Sequence, residues 1–492
     1  MGKGMTPEQE KLLRGDARGK NKWAILYTVL IMTFMATLDT SIVNVAMPVM
    51  ARELHVQMGD IQWVSSIYLV VSCAVMLVCG RLGDMLGKVR VFQTGVLMFT
   101  AGSALCSLSR ALPALIGARV VQSLGCAAAL ANNQGIIAEA FPASERGRSL
   151  GMLASFVALG TLCGPMLGGF ITQVASWEWI FVINVPVGLV AFALGLKTLP
   201  REAGRRPELT AASVDAFGAA LVILGIVLLF CSLMLMERQV TPALIALLAA
   251  GVILLAAFIA HERRAAQPLM RVSVFRSLTF DINLGTLATV FIAFGAFNLI
   301  MPFFLQDARG FDVGFAGLIM TTYPLVNFVV GPLSGTVSDK IGCERPTMFG
   351  LAVFMAGIAL AARLGLDDPV PVIVLSLAVM SLGSSSFQSP NNSLIMGSAP
   401  RDALGFVGSL SALTRNFGMS LGITAGSALL YGQMSVAAER PVTGYVEGRP
   451  DIFLYGFRWV LVALLAVVAV GFALSVVRYV RNKRGARPGA TA

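Results

Sequence analysis

GRLGDMLGKVR, Gly80–Arg90, recurs as GTVSDKIGCER, Gly335–Arg345, each matched position lying 255 residues further on. The shared residues are Gly80 and Gly335, Asp84 and Asp339, Gly87 and Gly342, Arg90 and Arg345. Each copy joins one apolar run to the next with almost nothing between. The stretch reads as a tight turn between two membrane helices, its glycines allowing close approach and a sharp reversal. A repeat of this length in an apolar chain points to two related halves in parallel, a plan used by secondary transporters. A second echo agrees: NNQGIIAEAFPASERG, Asn132–Gly147, resembles NNSLIMGSAPRDALG, Asn391–Gly405, with one gap.

Composition sets the class. The 492 residues are 56% hydrophobic and 13% charged, with mean hydropathy +0.78. A soluble chain carries about 25% charged residues. Fourteen apolar runs occur, at 23–47, 61–80, 89–109, 112–138, 148–172, 177–198, 213–236, 241–260, 279–305, 313–337, 346–366, 370–392, 404–430 and 453–479. Each spans a hydrocarbon core of about 30 Å as a helix, and none shows the short alternation of a barrel strand. The first run follows a polar stretch and lacks a small-residue cleavage site, so it is expected to stay as a span. The fold class is all-α and polytopic, with fourteen transmembrane helices.

The net charge of +11 invites a nucleic-acid partner, but its placement argues otherwise. The tails and alternate connections hold 27 Lys and Arg, the opposite connections 7. That asymmetry predicts cytoplasmic N- and C-termini, a membrane-lipid environment and no nucleic acid. The cysteines form no C-x-x-C and no Cys/His cluster, so neither a disulfide nor a metal site is expected. No phosphate loop occurs. No nucleophile–base constellation marks an enzyme.

Six helices with short connections need about 180–200 residues. The repeat distance exceeds this by two helices, which places an extra apolar pair near 209–261 between basic flanks. The expected organisation is a tail (1–22), a six-helix bundle (23–200), an inserted hairpin with its flanks (201–276), a second bundle (277–480) and a tail (481–492).

Charges deep in a membrane cost roughly 2.5–3.5 kcal/mol each and need a reason. Asp39, in LDTSIVNVAMP, and Arg119, in ARVVQSLGCAAA, both fall ~12 Å from the same membrane face at 1.5 Å per residue. Equal depth and opposite sign make them a candidate pair, structural or proton-coupled. Arg415 lies mid-run without an acidic neighbour in sequence. It suits an anionic group, a helix end or backbone carbonyls. Gln388, Asn391, Asn392 and Asn298 line a cavity or bond helices together. Gly160, Gly164 and Gly168 share one helix face beside Pro165 and Gly169. That bent, close-packed face is read either as an outer seal or as packing alone.

These motifs resemble the major facilitator superfamily, and within it the fourteen-helix drug:proton antiporter branch. GRLGDMLGKVR is similar to its loop signature. ARVVQSLGCAAA resembles R-x-x-Q-G-x-G-x-A, with Ser123 replacing a glycine, and GTLCGPMLGG resembles G-x-x-x-G-P-x-x-G-G. LDTSIVNVAMP, QWVSSIYLV and WEWIFVINVPVG resemble its first, second and sixth helices. The resemblance implies two rocking six-helix bundles with alternating access, exporting small amphipathic substrates. It implies proton coupling at Asp39 tuned by Arg119, with the proton as coupling ion and no cofactor. It implies gate contacts by Asp84 and Arg90, and an antiporter helix shaped by Gly164 and Pro165. Asn44, Tyr68, Gln122, Asn298, Gln388 and Arg415 form the expected substrate cavity. A monomer in a bacterial-type inner membrane is expected. A lipid exporter whose hairpin opens a lateral path, and a non-transporting receptor, are the alternatives.

Overall fold

The computed structural model describes residues 21–56, 58–200, 215–236, 241–265, 269, 274–275, 277–400, 403–442 and 444–485. Among these residues the chain forms helices and no strand. The first bundle comprises α1 (Lys22–Glu53), α2 (Trp63–Leu86), α3 (Lys88–Ser107), α4 (Leu112–Ala140), α5 (Arg146–Val174) and α6 (Trp179–Val182, resuming as Asn184–Thr198). The hairpin is α7 (Ala216–Met236) and α8 (Pro242–Glu262). The second bundle comprises α9 (Leu278–Phe303), α10 (Val313–Met320, resuming as Thr322–Ile341), α11 (Glu344–Ala362), α12 (Val370–Gly397), α13 (Leu404–Ala438) and α14 (Pro450–Gly485).

Polar residues set some of the starts. Asn21 caps α1 by accepting from the Trp23 amide, Asp312 caps α10 from Phe315, and Thr241 caps α8 ahead of Pro242. Thirteen of the fourteen helices are long and apolar enough to cross a membrane. The exception, α13, has 35 residues, but Arg415, Asn416 and many glycines and serines dilute its apolarity. Such a helix belongs inside, and α13 packs among α2, α4, α9 and α14. The described helix ends that carry Lys22, Lys88, Arg90, Arg146, Arg148, Lys340 and Arg345 lie together on one face, termed the basic face below.

The duplication is visible in the packing. α1 lies on α5 as α9 lies on α13; α3 lies on α4 as α11 lies on α12; α2 lies on α4 as α10 lies on α12. The halves meet where α5 packs on α10 and α2 on α13. The hairpin docks through α7 onto α2 and α13 and so covers one of these two seams. α8 has only 11% of its most apolar stretch buried, so it presents almost all of itself to lipid.

Three details depart from the sequence reading. α14 runs on to Gly485, so the first residues of the expected tail are helical. α9 continues into a π-turn, Phe304–Ala308, which no apolar pattern announces. The breaks in α6 and α10 divide runs that read as continuous. The hairpin's basic flanks, with Arg201, Arg205, Arg206, Arg271 and Arg276, lie outside the described residues, as do the tail residues 1–20.

Candidate functional site

Asp39 and Arg119 meet. Both are 0% exposed, and Arg119 Nη1 donates to Asp39 Oδ2 at 2.6 Å. Asp39 Oδ1 accepts from Gln122 Nε2 at 2.9 Å and from Asn184 Nδ2 at 2.8 Å. Arg119 is fixed from two more sides: Nε donates to the Val64 carbonyl at 3.0 Å and Nη1 to Gln122 Oε1 at 2.7 Å. Its guanidinium lies over the Tyr68 ring, 4.3 Å from the centroid, with Phe181 at 5.6 Å. Gln122 reaches onward to Ser103 Oγ at 2.8 Å. The cluster therefore draws on α1, α2, α3, α4 and α6. A pair buried this deeply needs its spare valences met; here Arg119 Nη2 alone of the guanidinium nitrogens has no hydrogen-bond partner among the described residues. Here every contact to Asp39 comes from a donor, the arrangement that suits a carboxylate anion.

The repeated aspartates act across the seam. Asp84, at the end of α2, accepts from the amides of Gly405 and Phe406 at 2.8 and 2.9 Å. Those amides belong to the first turn of α13. Asp339, at the end of α10, accepts from Gly147 and Arg148 in the first turn of α5, both at 2.8 Å. A carboxylate at a helix start satisfies unpaired amides and opposes the helix dipole. The first repeat thus reaches into the second echo of the opposite half, both ways. Asp84 is further paired with Lys88 at 3.0 Å, and Lys88 with Glu139 at 2.8 Å.

The glycines of the repeat divide the work. Gly87 (φ 107°) and Gly342 (φ 86°) end α2 and α10 in the left-handed region. Gly80 and Gly335 permit close crossing: a Cβ on Gly80 would stand 2.7 Å from the Gly405 carbonyl, and one on Gly335 would overlap Gly147. Arg90 and Arg345 lie exposed at the starts of α3 and α11. Further inter-half bonds run from Ser389 Oγ to the Gly147 carbonyl (2.7 Å), Ser155 Oγ to Phe328 (2.8 Å) and Asn416 Nδ2 to Cys73 Sγ (3.4 Å). All of these lie between mid-membrane and the basic face, so the halves are joined on that side.

Gly160, Gly164 and Gly168 do form one close-packed face, but it rests on α1 of the same half. A Cβ at Gly160 would meet Thr37, at Gly164 Ser41 and at Gly168 Ile42, while Gly169 has open space. Beyond Pro165, Met166 and Phe170 are 71% and 62% exposed. This helix therefore makes no outer seal in this conformation.

The expected cavity set separates. Tyr68 and Gln122 are buried in the Asp39 shell and do not line an open cavity. Asn44 is exposed and accepts from Ser65 Oγ at 2.9 Å. Asn298 is exposed, and Gln388 is half-buried. Asn391 serves as glue, donating to the Asn283 carbonyl at 3.2 Å. Arg415 is half-buried with no hydrogen bond or ion pair among the described residues, its guanidinium 5.9 Å from the Phe291 ring. Phe294 and Tyr323 extend that aromatic wall, with ring centroids 5.0 Å apart.

The sequence matches the Major Facilitator Superfamily over residues 29–423 and 284–491. The chain belongs to the major facilitator superfamily. It is a multi-pass membrane transporter and not an enzyme. Among superfamily members it is similar to the riboflavin transporter RibZ of Clostridioides difficile (strain 630), 33% identical over 408 residues, 82% of this chain and 87% of that one. It is also similar to the tetracenomycin C resistance and export protein of Streptomyces glaucescens, 30% identical over 404 residues, 81% of this chain and 74% of that one. In fold it resembles a bacterial homologue of the iron transporter ferroportin in an outward-facing state, with TM-score 0.64 and 13% identity over 92% of this chain and 98% of that one.

Two members of the Asp39 shell escape a reading of the sequence. Asn184 stands in WEWIFVINVPVG, and a lone asparagine in so apolar a run was the available signal. Ser103 carries none, since serines are common in helices packed inside a membrane.

Proposed function

We propose that the chain is a proton-coupled exporter of amphipathic small molecules, working by alternating access in a bacterial-type inner membrane. The observation that carries the reading is the sealed Asp39 site, a carboxylate at membrane depth held by one arginine and two amides. On this reading the basic face is cytoplasmic, and the conformation is closed toward the cytoplasm.

The residues supply a switch. With Asp39 ionised, Arg119 Nη1 is shared between Asp39 and Gln122 Oε1. A proton on Asp39 removes its charge and brings a hydroxyl against a ring of donors. Arg119 then keeps Gln122 and Val64 and loosens from α1. α1 is in register with α5 through Gly160 against Thr37 and Gly164 against Ser41, and Ser41 Oγ donates to the Thr161 carbonyl at 3.0 Å. The other end of α5 carries Gly147 and Arg148, which Asp339 holds across the seam. α5 therefore links α1, which carries Asp39, to the basic-face closure. Substrate binding to the Arg415 wall and protonation of Asp39 favour opposite arrangements of the halves, which is antiport.

Arg415 beside Phe291, Phe294 and Tyr323 suits a flat aromatic substrate with an anionic or acceptor edge. Riboflavin, named for one relative, has such a ring system. A lipid exporter with a lateral path at the hairpin is the second reading, and in this conformation α7 covers the α2–α13 seam.

The test is acidification-driven flux in proteoliposomes, with cationic, neutral and anionic fluorescent amphiphiles. Asp39→Asn should abolish coupled flux, at least tenfold, while substrate still binds. Arg415→Gln should selectively weaken anionic members of the panel. Coupled flux surviving in Asp39→Asn rules out this site as the proton carrier. Binding without flux in the wild type favours a receptor.

A further inference from the structure

Arg478, near the basic end of α14, is 1% exposed, and Nε, Nη1 and Nη2 all lack a hydrogen-bond partner among the described residues. A buried guanidinium is retained where something meets its donors. Glu344 is the nearby carboxylate. Its Oε1 accepts from Asn482 Nδ2 at 2.7 Å, and it forms no described ion pair with Arg478.

The space beside Arg478 is a cleft of about 250 Å³ lined by Leu278, Thr279, Ile282, Arg478, Arg481 and Asn482. Leu278 and Thr279 are the first two residues of α9. The capping side chain of Ser277 accepts from Phe280, leaving the amides of the first two residues without a partner in their own helix. Three independent sources of positive potential therefore converge: a buried guanidinium, an exposed one on Arg481, and a helix start. No carboxylate lines the cleft; Asp281, in the same first turn of α9, is not among its walls.

We propose that this cleft binds a phosphate-type oxyanion. A guanidinium grips phosphate through two parallel N–H bonds, and a helix start presents amides to the same group. The anion would tie the start of α9 to the end of α14, two helices that already pack together. Its surroundings favour a phospholipid headgroup as the source. Leu278 is 45% exposed beside Ile282, so apolar surface adjoins the cationic wall at the level where headgroups sit. Free phosphate from solution offers the same chemistry. The site lies in the second bundle, apart from Asp39 and from Arg415.

The experiment uses the delipidated full chain in detergent. A soluble short-chain phosphatidylglycerol and inorganic phosphate are titrated separately, read by tryptophan fluorescence and thermal unfolding. Saturable binding is expected, weakened about tenfold in Arg478→Gln and partly restored in Arg478→Lys. Arg481→Gln, at an exposed position, should weaken it a few-fold and decides the matter if Arg478→Gln does not fold. Tighter binding of the lipid than of inorganic phosphate assigns the headgroup; equal, competitive binding assigns a free oxyanion. Absence of binding by either, or affinities unchanged in both variants, overturns the site.

Discussion

Asp39 is enclosed by three donors from two helices, Arg119 and Gln122 on α4 and Asn184 on α6, and removing any one changes that balance. Arg119 is the least replaceable of them, because it spends its fork on three separate acceptors: Asp39, Gln122 and the Val64 carbonyl. A lysine ammonium keeps the charge but cannot span them, nor lie flat on Tyr68. Arg119→Lys should therefore retain the folded state, lose at least tenfold in gradient-driven flux and unfold at lower temperature in detergent, as measured by flux assay and thermal melt. Wild-type flux in that variant would reduce Arg119 to a generic counter-charge. At this scale the sequence displayed the pair and hid its setting. Equal depth and opposite sign single out two charges. Neutral polar residues such as Asn184 and Ser103 carry no sign, and their role is set by which helices happen to face each other. Tyr68 and Gln122 were placed in an open cavity for the same reason: depth along a helix does not tell which way it is turned.

Helices were the most legible level. Apolar length marks a span whatever its neighbours, so all fourteen runs became helices. What the pattern omits is local: the break in α10 at Thr321, the π-turn after α9 and the direction of the α5 glycine face. Gly160, Gly164 and Gly168 declared close packing, yet only the fold shows that α1 is the partner. Asp84 and Asp339 make their prediction at this level too, because each acts on the start of a whole helix. Replacing a charged cap weakens such an end by about 0.5–2 kcal/mol. Asp84→Asn and Asp339→Asn should each shift the population toward an opened basic face, by about two-fold to about thirty-fold. Spin-label distances between the basic ends of α3 and α11 would report it. Unchanged distributions in both variants would show that the closure rests on helix packing alone. Asp84 has a reinforcement that Asp339 lacks, since Cys343 stands where the repeat would place a counterpart to Lys88.

For the molecule as a whole, the 255-residue repeat foretold two bundles and the surplus length foretold a hairpin, because both are matters of counting. Where the hairpin docks was not countable, and the α2–α13 seam is a finding of the structure. One further feature has its effect here. Asp84 of the first half holds the second, and Asp339 of the second holds the first, so the contact is reciprocal in the way of a two-fold dimer of identical chains. Complementarity of that kind does not depend on the peptide that joins the partners. The linker's contribution is to raise the effective concentration of one half near the other. Fragments 1–205 and 206–492, co-expressed, should therefore assemble and co-purify through detergent, and the paired fraction should fall when Asp84→Asn and Asp339→Asn are combined. In this transporter, continuity of the chain governs how often the halves meet, and the two aspartates help them know each other.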